Sequence, residues 1–339
     1  MNREPHTLTP SERDNLTVWD GRREGWYEVY YLKFNHRASG AAAWLRYTLL
    51  VPRPDAGVPV CELWAIAFDP HDPSRNLALK RTRPLDPTAI GRDRLDFRVG
   101  AARLQHDAAR GSLEGPDGRL AWELAWDPPH DSFRPFPHDA MYRLPLPKTK
   151  WLVPNQDVAF RGSLHWNDRV LECTGEPGQQ THLWGTQHAE RWVWGHAGLW
   201  ADGADASFEC LSSRLRFGPV STPDLTLLLL RLDGRWRRLN ALWRAPFQRA
   251  RIDLPNFLFD AAGDGLRVRG RASARLADLV GVEYTDPDGA HLWCYNTKVA
   301  DLTLEVRDER GAQRTLRADR TFALEFVQRT RDPRIPVRI

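Results

Sequence analysis

The stretch Leu302-Thr303-Leu304-Glu305-Val306-Arg307 alternates apolar and polar side chains. A β-strand places successive side chains on opposite faces, so this stretch predicts a strand with one face toward a core and the other toward water. The stretch from Leu266 to Arg271 repeats the pattern, with arginine at every second position. Sheets with one solvated face are usually antiparallel, so both stretches favour antiparallel pairing.

Similar short segments recur along the whole chain, and we expect each of them to form a strand. They are residues 27–34, 43–51, 62–68, 120–126, 158–164, 225–232, 235–243 and 321–327. Turn sequences such as Pro116-Asp117-Gly118 and Leu232-Asp233-Gly234 favour hairpins between them. The clearest helix start is Thr9-Pro10-Ser11-Glu12, which carries an N-cap, a first-turn proline and a capping-box glutamate. The prediction is an all-β fold with few short helices.

The chain length favours two domains. With 339 residues it exceeds the roughly 250 to 300 residues at which a single hydrophobic core stops growing. We place the boundary after residue 180, giving domains 1–180 and 181–339, because Gly175-Glu176-Pro177-Gly178-Gln179-Gln180 breaks the strand pattern. The proline-rich segment 127–154 has little strand pattern and is expected to be a long surface loop or lid.

Composition excludes several classes of protein. With 42% hydrophobic and 27% charged residues, the sequence is that of a folded globular chain. No apolar run reaches the roughly 18 residues of a membrane-spanning helix, and the polar segment Met1 to Asn15 lacks a secretory pattern, so a cytoplasmic location is expected. The formal charge is only +4, and Arg235, Arg237 and Arg238 around Trp236 fit a solvated strand face, so no nucleic-acid partner is expected.

The four cysteines give a prediction about the redox state and about metals. Cys61, Cys173, Cys210 and Cys294 lie far apart with no Cys-x-x-Cys spacing. This spacing fits neither a disulfide framework nor a structural zinc site, so we expect reduced core thiols.

The densest chemical signal is Thr181-His182-Leu183-Trp184-Gly185-Thr186-Gln187-His188-Ala189-Glu190-Arg191-Trp192-Val193-Trp194-Gly195-His196. On a strand from Arg191, the side chains of Trp192, Trp194 and His196 would share one face. His182 and Trp184 would likewise share a face if that part is extended.

Each of these residues also has an ordinary structural interpretation. Tryptophans inside a barrel often fill space, and buried histidines often make one structural hydrogen bond. Glu190 beside Arg191 fits an exposed ion pair. The spacings between His182, His188 and His196 match no zinc motif, so no metal is expected.

The pattern His182-x-Trp184-Gly185-x-x-His188-Ala189-x-x-Trp192-x-Trp194-Gly195 resembles the AttH-like and hydroxyneurosporene synthase family, which is related to the tocopherol cyclases. Two further regions are similar to that family. They are Glu28-x-Tyr30-x-x-Lys33 with Ala43-Trp44-Leu45-Arg46-Tyr47, and Gly281-Val282-Glu283-Tyr284 with Trp293-Cys294-Tyr295-Asn296. The resemblance implies two lipocalin-like antiparallel β-barrel domains. The hydratase branch also has a Tyr-x-Asp after its His-x-Trp, and here the downstream triplet Tyr284-Thr285-Asp286 is interpreted as a turn before Pro287.

The resemblance implies an acid/base reaction on an isoprenoid alkene without metal or redox cofactor. Such a reaction needs a proton donor in an apolar pocket and aromatic faces near the developing cation. The candidate catalytic residues are His182, His188 and Glu190. The candidate substrate-binding residues are Trp184, Trp192, Trp194, His196, Glu283, Tyr284 and Tyr295.

Three functions remain open at this point. The first is a cofactor-independent hydratase or cyclase acting on an apolar isoprenoid-like metabolite. The second is a lipocalin-like protein that binds a hydrophobic small molecule without chemistry, and the third is an interaction protein. A deep apolar cavity reached by an acid favours the first, a cavity without an acid the second, and filled barrels with an exposed apolar patch the third.

Overall fold

The structure of the protein is a computed structural model that describes residues 7–339, so the first part of the polar N-terminal segment lies outside the described residues. Strands account for 58% of the chain and helices for 6%, which confirms the all-β prediction. None of the helices within residues 7–339 is long and apolar enough to cross a membrane.

Ten antiparallel strands form the first sheet. They are β1 (Trp26–Asn35), β2 (Ala42–Val51), β3 (Val60–Phe68), β4 (Leu77–Pro84), β5 (Asp96–Val99), β6 (Ala102–Gln105), β7 (Ala108–Gly115), β8 (Gly118–Ala125), β9 (Thr149–Trp166) and β10 (Arg169–Gly185). Their order in the sheet is β4-β3-β2-β1-β10-β9-β8-β7-β6-β5. Neighbours in sequence are therefore mostly neighbours in space, as hairpins require, and the pairing of β1 with β10 joins the two halves of the sheet.

The second sheet also has ten strands. They are β11 (Arg191–Ala197), β12 (Ala206–Arg214), β15 (Leu225–Leu232), β16 (Arg235–Leu239), β17 (Arg249–Asp253), β18 (Asn256–Gly263), β19 (Leu266–Ser273), β20 (Val280–Thr285), β21 (His291–Asp308) and β22 (Gln313–Gln328). Their order is β16-β15-β12-β11-β22-β21-β19-β18-β17, with β20 paired to β21. A separate small hairpin consists of β13 (Arg216–Phe217) and β14 (Val220–Ser221).

Helices are short and peripheral. The α-helices are α1 (Pro10–Asp14) and α2 (Ala140–Arg143), and 3-10 turns occupy Pro73–Arg75, Pro87–Ala89, Ala245–Phe247 and Leu276–Asp278. The predicted capping box at α1 is confirmed. The Thr9 hydroxyl accepts a hydrogen bond from the Glu12 amide at 3.1 Å, and the Glu12 carboxylate accepts one from the Thr9 amide at 2.7 Å.

Each sheet curves around its own apolar core, and a third apolar cluster lies between the two barrels. The alternation of β1 explains this arrangement. Tyr30 and Leu32 point into the first barrel, whereas Val29 and Tyr31 belong to the cluster between the barrels. Because all ten residues of β1 are buried, the strand is covered on both faces, which a two-barrel arrangement achieves.

The structure corrects two expectations about strand continuity. Gly175 to Gln180 does not break a strand, because β10 runs through this stretch with register shifts between Thr174 and Glu176 and between Gly178 and Gln180. The predicted domain boundary after residue 180 therefore lies within β10, whose last residues still pair with β1. The strand expected over residues 235–243 ends at Leu239, where a turn leads into the 3-10 turn Ala245–Phe247.

Gly195 in β11 lies against a ring of the second core. A β-carbon placed on it would be 2.2 Å from Phe322 Cζ, whereas one on the nearby Gly198 would meet its nearest atom at 3.4 Å. We expect Gly195→Ala to lower the free energy of unfolding by about 1 to 3 kcal/mol because of overpacking, as measured by urea denaturation. Gly198→Ala is the matched control with little expected change, and equal stabilities of the two variants would contradict the packing argument.

Candidate active site

A cavity of about 840 Å³ lies between the two barrels, and both sheets contribute to its wall. Most of its lining is apolar and aromatic. The first barrel contributes Tyr27, Tyr31, Trp44, Arg46 and Trp151, and the second contributes Trp192, Trp194, Tyr284 and Glu325. The size and lining are those of a small-molecule site. The loop predicted over 127–154 ends at residue 148, because β9 begins at Thr149, and it supplies Phe136, Met141 and Leu146 at the cavity.

The central sequence motif divides between the cavity and the first barrel. In β10, Leu183 lines the cavity, while its neighbours His182 and Trp184 point to the opposite face. The link between β10 and β11 brings Gln187 to Glu190 to the cavity wall. Of the predicted site residues, the structure brings together His188, Glu190, Trp192, Trp194 and Tyr284 around the cavity.

His188 is the predicted catalytic residue with the best-defined setting. Its Nδ1 lies 2.6 Å from Asp286 Oδ1, and the same carboxylate accepts hydrogen bonds from the His188 amide at 2.9 Å and from Arg329 Nη2 at 2.6 Å. The imidazole stacks on Tyr27 at 4.1 Å between ring centroids and on Trp192 at 5.5 Å. The ring is thus fixed in orientation, and its Nε2 is not engaged by Asp286.

Asp286 is a buried carboxylate that stays ionised. Burial by itself would raise the pKa of Asp286, but the charge of His188, its hydrogen bonds and the nearby Arg329 outweigh burial and lower this pKa to about 2. An ionised carboxylate only accepts hydrogen bonds, so His188 Nδ1 is the donor in this pair. Asp286 therefore holds the proton of His188 at Nδ1.

The triplet Tyr284-Thr285-Asp286 has a larger role than the turn predicted for it. The turn exists, since the Asp286 amide donates to the Ala290 carbonyl and the Gly289 amide to the Asp286 carbonyl. The two side chains nevertheless belong to the site, because the Tyr284 ring lines the cavity and Asp286 binds His188. The predicted turn is thus confirmed, and because a backbone turn leaves the carboxylate of Asp286 free, this side chain can bind a residue distant in sequence.

His182 lies inside the first barrel, away from the cavity. Its Nε2 is 2.9 Å from Glu28 Oε1 and its Nδ1 is 2.8 Å from the Asp14 carbonyl oxygen. Its ring stacks on Tyr30 at 4.3 Å and lies 4.7 Å from the Trp184 ring. The Glu28 carboxylate also accepts hydrogen bonds from the backbone amides of Val18 at 2.7 Å and Trp19 at 2.8 Å. This arrangement ties the N-terminal segment to the barrel, which is a structural role.

The remaining predicted residues have different surroundings. Glu190 accepts a hydrogen bond from Ser221 Oγ at 2.5 Å at the cavity edge. Glu283 is partly exposed and pairs with His291 at 2.7 Å, and the Tyr295 hydroxyl accepts the Asp332 amide in the second barrel. Five of the predicted site residues therefore lie away from the cavity wall: His182, Trp184, His196, Glu283 and Tyr295.

A layer of buried polar side chains lies between the barrels, next to the cavity. We call it the interbarrel polar layer, and it consists of Lys33, Gln179, His196, Glu209, Lys298 and Glu325. Glu209 Oε1 accepts hydrogen bonds from Trp194 Nε1 and Gln179 Nε2, both at 3.0 Å. Lys298 Nζ lies 2.7 Å from Glu325 Oε1. The layer thus contacts two cavity residues, Trp194 and Glu325.

Burial shifts the proton affinities in this layer. It raises the pKa of Glu209 to about 7, despite hydrogen bonds from Gln179 and Trp194, and it lowers the pKa of Lys33 to about 7. His196 is completely buried, and burial followed by the charges of Lys33 and Lys298 holds its pKa well below the ordinary value. Sequence reasoning placed His196 at the substrate and missed Glu209. The available signal was a glutamate inside the otherwise buried run Ser207-Phe208-Glu209-Cys210.

The comparisons with known proteins agree with this geometry at the level of the fold. No family model matches the chain. The chain is 28% identical over 296 residues to the uncharacterized proteins Rv0493c and MT0513 of two Mycobacterium tuberculosis strains, covering 86% of this chain and 84% of each relative.

Two solved structures are similar in fold. A candidate AttH protein from Nitrosomonas europaea has a TM-score of 0.53 at 10% identity, covering 90% of this chain and 93% of that chain. Kievitone hydratase from Nectria haematococca has a TM-score of 0.52 at 9% identity, covering 96% of both chains. The chain therefore has the two-barrel fold of AttH-type and hydratase structures. This confirms the fold that the sequence resemblance implied.

The raised pKa of Glu209 predicts a pH dependence of stability. The folded protein binds this proton more tightly than the unfolded chain, so between pH 4.5 and about 7 the free energy of unfolding falls as pH rises. The Gln side chain in Glu209→Gln does not ionise. Over this pH range the free energy of unfolding of the variant should therefore decrease by on the order of 2 kcal/mol less than that of the parent. Urea denaturation across this pH range measures it. Glu305→Gln, at an exposed position, is the control, and parallel pH profiles for the parent and Glu209→Gln would refute the prediction.

Proposed function

We propose that the protein is a cofactor-independent acid/base enzyme of the hydratase or cyclase type. Its substrate in this proposal is an apolar isoprenoid-like metabolite bound in the cavity between the barrels. The observation that carries the proposal is a histidine held by a buried carboxylate on the wall of an aromatic cavity. The fold shared with kievitone hydratase supports the reaction class.

The site offers what protonation of an alkene requires. The His188 imidazolium donates the Nε2 proton to one alkene carbon, and the alkene electron pair forms the new C–H bond, which leaves a cation on the other carbon. The faces of Trp192 and Trp194 attract such a cation through their ring quadrupoles. Asp286 stabilises the charged imidazole before the transfer and keeps its orientation afterwards.

The cation is then removed in one of two ways. In a hydration, a water oxygen bonds to the cationic carbon and releases a proton, which returns to His188 Nε2. In a cyclisation, a hydroxyl or alkene within the substrate bonds to that carbon, and a proton is again released to His188. Either reaction returns His188 to its protonated form, and proton transfer at one positioned histidine suffices for both reactions. We place this activity in the cytoplasm, where the four buried free cysteines would stay reduced.

His188 suits the role better than the other two predicted catalytic residues. His182 has both ring nitrogens engaged inside the first barrel, so it has no path to a substrate in the cavity. Glu190 is only partly buried at the cavity edge, where it accepts a hydrogen bond from Ser221.

His188→Gln tests the proposal. Purified protein is incubated with a panel of isoprenoid alkenes, including geranylgeraniol, in oxygen-18 water, and products are identified by mass spectrometry. Hydration adds labelled oxygen, whereas cyclisation gives an isomer. We expect His188→Gln to lower turnover by about 10²- to 10⁴-fold and Asp286→Asn to lower it less, because the acid is removed in the first and loses its orientation in the second.

The control is His165→Gln, which alters an exposed histidine on β9. Full turnover by His188→Gln would overturn the catalytic assignment. If compounds of the panel bind tightly to the parent protein but none is converted, the result would instead support a lipocalin-like protein that binds a hydrophobic small molecule without chemistry.

A further inference from the structure

Arg46 on β2 is a buried cation in the cavity wall. It is 6% exposed, and its guanidinium carbon lies 4.0 Å from the centroid of the Tyr284 ring and 5.2 Å from that of Trp64. Its Nε has no hydrogen-bond partner among the described residues. The buried carboxylates of the region are paired elsewhere, Glu325 with Lys298 and Asp286 with Arg329. Within residues 7–339, Arg46 is thus a cavity cation without an ion-pair partner.

A buried guanidinium without an acceptor is costly, and a bound carboxylate would offset this cost with charge-assisted hydrogen bonds. We propose that Arg46 binds the carboxylate head of an amphipathic ligand whose apolar body fills the aromatic part of the cavity. This assignment deepens the proposed function by naming a substrate class, and it rests on the same cavity. Arg46 contacts Tyr284, which also stacks near His188 at 6.2 Å between ring centroids, so the head would be fixed beside the reacting part of the ligand.

Binding of two matched probes tests the assignment. Dodecanoate and dodecanol share an alkyl chain and differ in the head, and their affinities are measured by titration calorimetry. We expect the parent protein to bind dodecanoate about 10- to 100-fold more tightly than dodecanol, because a hydrogen-bonded ion pair in an apolar site is strong. Arg46→Gln should bind both equally. Arg46→Lys, which keeps the charge, should retain part of the preference.

The control is Arg314→Gln, which removes a partly exposed arginine paired with Asp233 and should keep the full preference. Equal affinity of the parent protein for both probes, or a preference that survives in a folded Arg46→Gln protein, would overturn the assignment. The proposed reaction is tested separately: a dodecanoate preference without turnover of any alkene would contradict catalysis and leave the role of Arg46 standing.

A second inference rests on the surface around the cavity opening. Residues 143–148, 215–221 and 242–249 border the cavity through Leu146, Phe217 and Leu242. In the described part of the chain, seven of the eleven exposed large apolar side chains lie on these segments: Leu144, Leu146, Phe217, Val220, Leu242, Trp243 and Phe247. Trp243 is 68% exposed and Phe247 is 81% exposed. We call these three segments the mouth surface.

The charge of the mouth surface has a single sign. Its segments carry the five basic residues Arg143, Lys148, Arg216, Arg244 and Arg249 and contain no aspartate or glutamate. Exposed tryptophan, phenylalanine and leucine among arginines and lysines are typical of surfaces that insert into the headgroup region of anionic membranes. We infer that the mouth surface docks on an anionic lipid bilayer, which would let an apolar ligand enter the cavity without crossing water.

Co-sedimentation with vesicles tests this inference. We expect the parent protein to bind vesicles of equal parts phosphatidylcholine and phosphatidylglycerol, and to bind pure phosphatidylcholine more weakly because the basic residues then find no counter-charge. The double variant Trp243→Ser with Phe247→Ser should have an affinity for the mixed vesicles that is lower by about tenfold or more, because it loses most of the inserted apolar surface. Val58→Ser removes an equally exposed apolar side chain elsewhere and is the matched control.

Two results would overturn the docking proposal. The first is that the parent protein does not bind the mixed vesicles, or that the double variant binds them as tightly as the parent does. The other is a stable dimer in analytical ultracentrifugation that the double variant dissociates, which would make the mouth surface an interface between two copies of the chain.

Discussion

The fold depends on covering the outer face of β1. This strand joins the two halves of the first sheet and carries apolar side chains on both faces, so a single barrel would leave Tyr27, Val29 and Tyr31 in water. Trp194 of the second barrel packs edge-on against Tyr31 at 5.6 Å between ring centroids, and His188 stacks on Tyr27 at 4.1 Å. Where the two curved surfaces separate, the cover is incomplete and the cavity remains. The site is therefore a consequence of packing one convex sheet on another, and its aromatic lining consists of the residues that the covering requires.

The interbarrel polar layer works against this packing. Lys33, Lys298 and Glu209 are completely buried between the barrels, and burying charge costs free energy even when partners are present. The pairing of Lys298 with Glu325 and the hydrogen bonds to Glu209 offset part of that cost. A purely apolar interface would cost less, so stability alone does not explain the layer. The layer reaches the cavity through Glu325, which lines it, and through Trp194, which donates a hydrogen bond to Glu209.

Sequence reasoning predicted the architecture well because alternation is a local property. Strands such as 302–307 reveal their two faces in six residues, and the capping box at Thr9 is likewise complete within four residues. The assignment of individual site residues was harder, because His182 and His188 belong to the same motif but lie in different parts of the fold. His182 is on β10 and points into the first barrel, whereas His188 lies in the link between β10 and β11. The end of β10 at Gly185 therefore decides which of the two histidines reaches the cavity wall. Asp286 could not be linked to His188 from spacing, since the pairing depends on β20 folding back onto β21.

The fold likeness and the site carry different weight for function. Sequence identities of 9% and 10% preserve a two-barrel fold because barrels require a pattern of apolar and polar residues rather than particular side chains. Catalysis requires particular side chains at particular positions, because a proton donor must lie within about 3 Å of the atom that accepts the proton. A shared fold therefore does not establish the reaction, which depends on the residues that line the cavity of this chain. In this chain the wall joins a histidine fixed by an ionised carboxylate, a guanidinium that has no ion-pair partner within residues 7–339, and a set of aromatic faces. Space-filling alone would place apolar side chains at the first two positions, so their presence argues for a ligand with both an acidic head and a reactive apolar body.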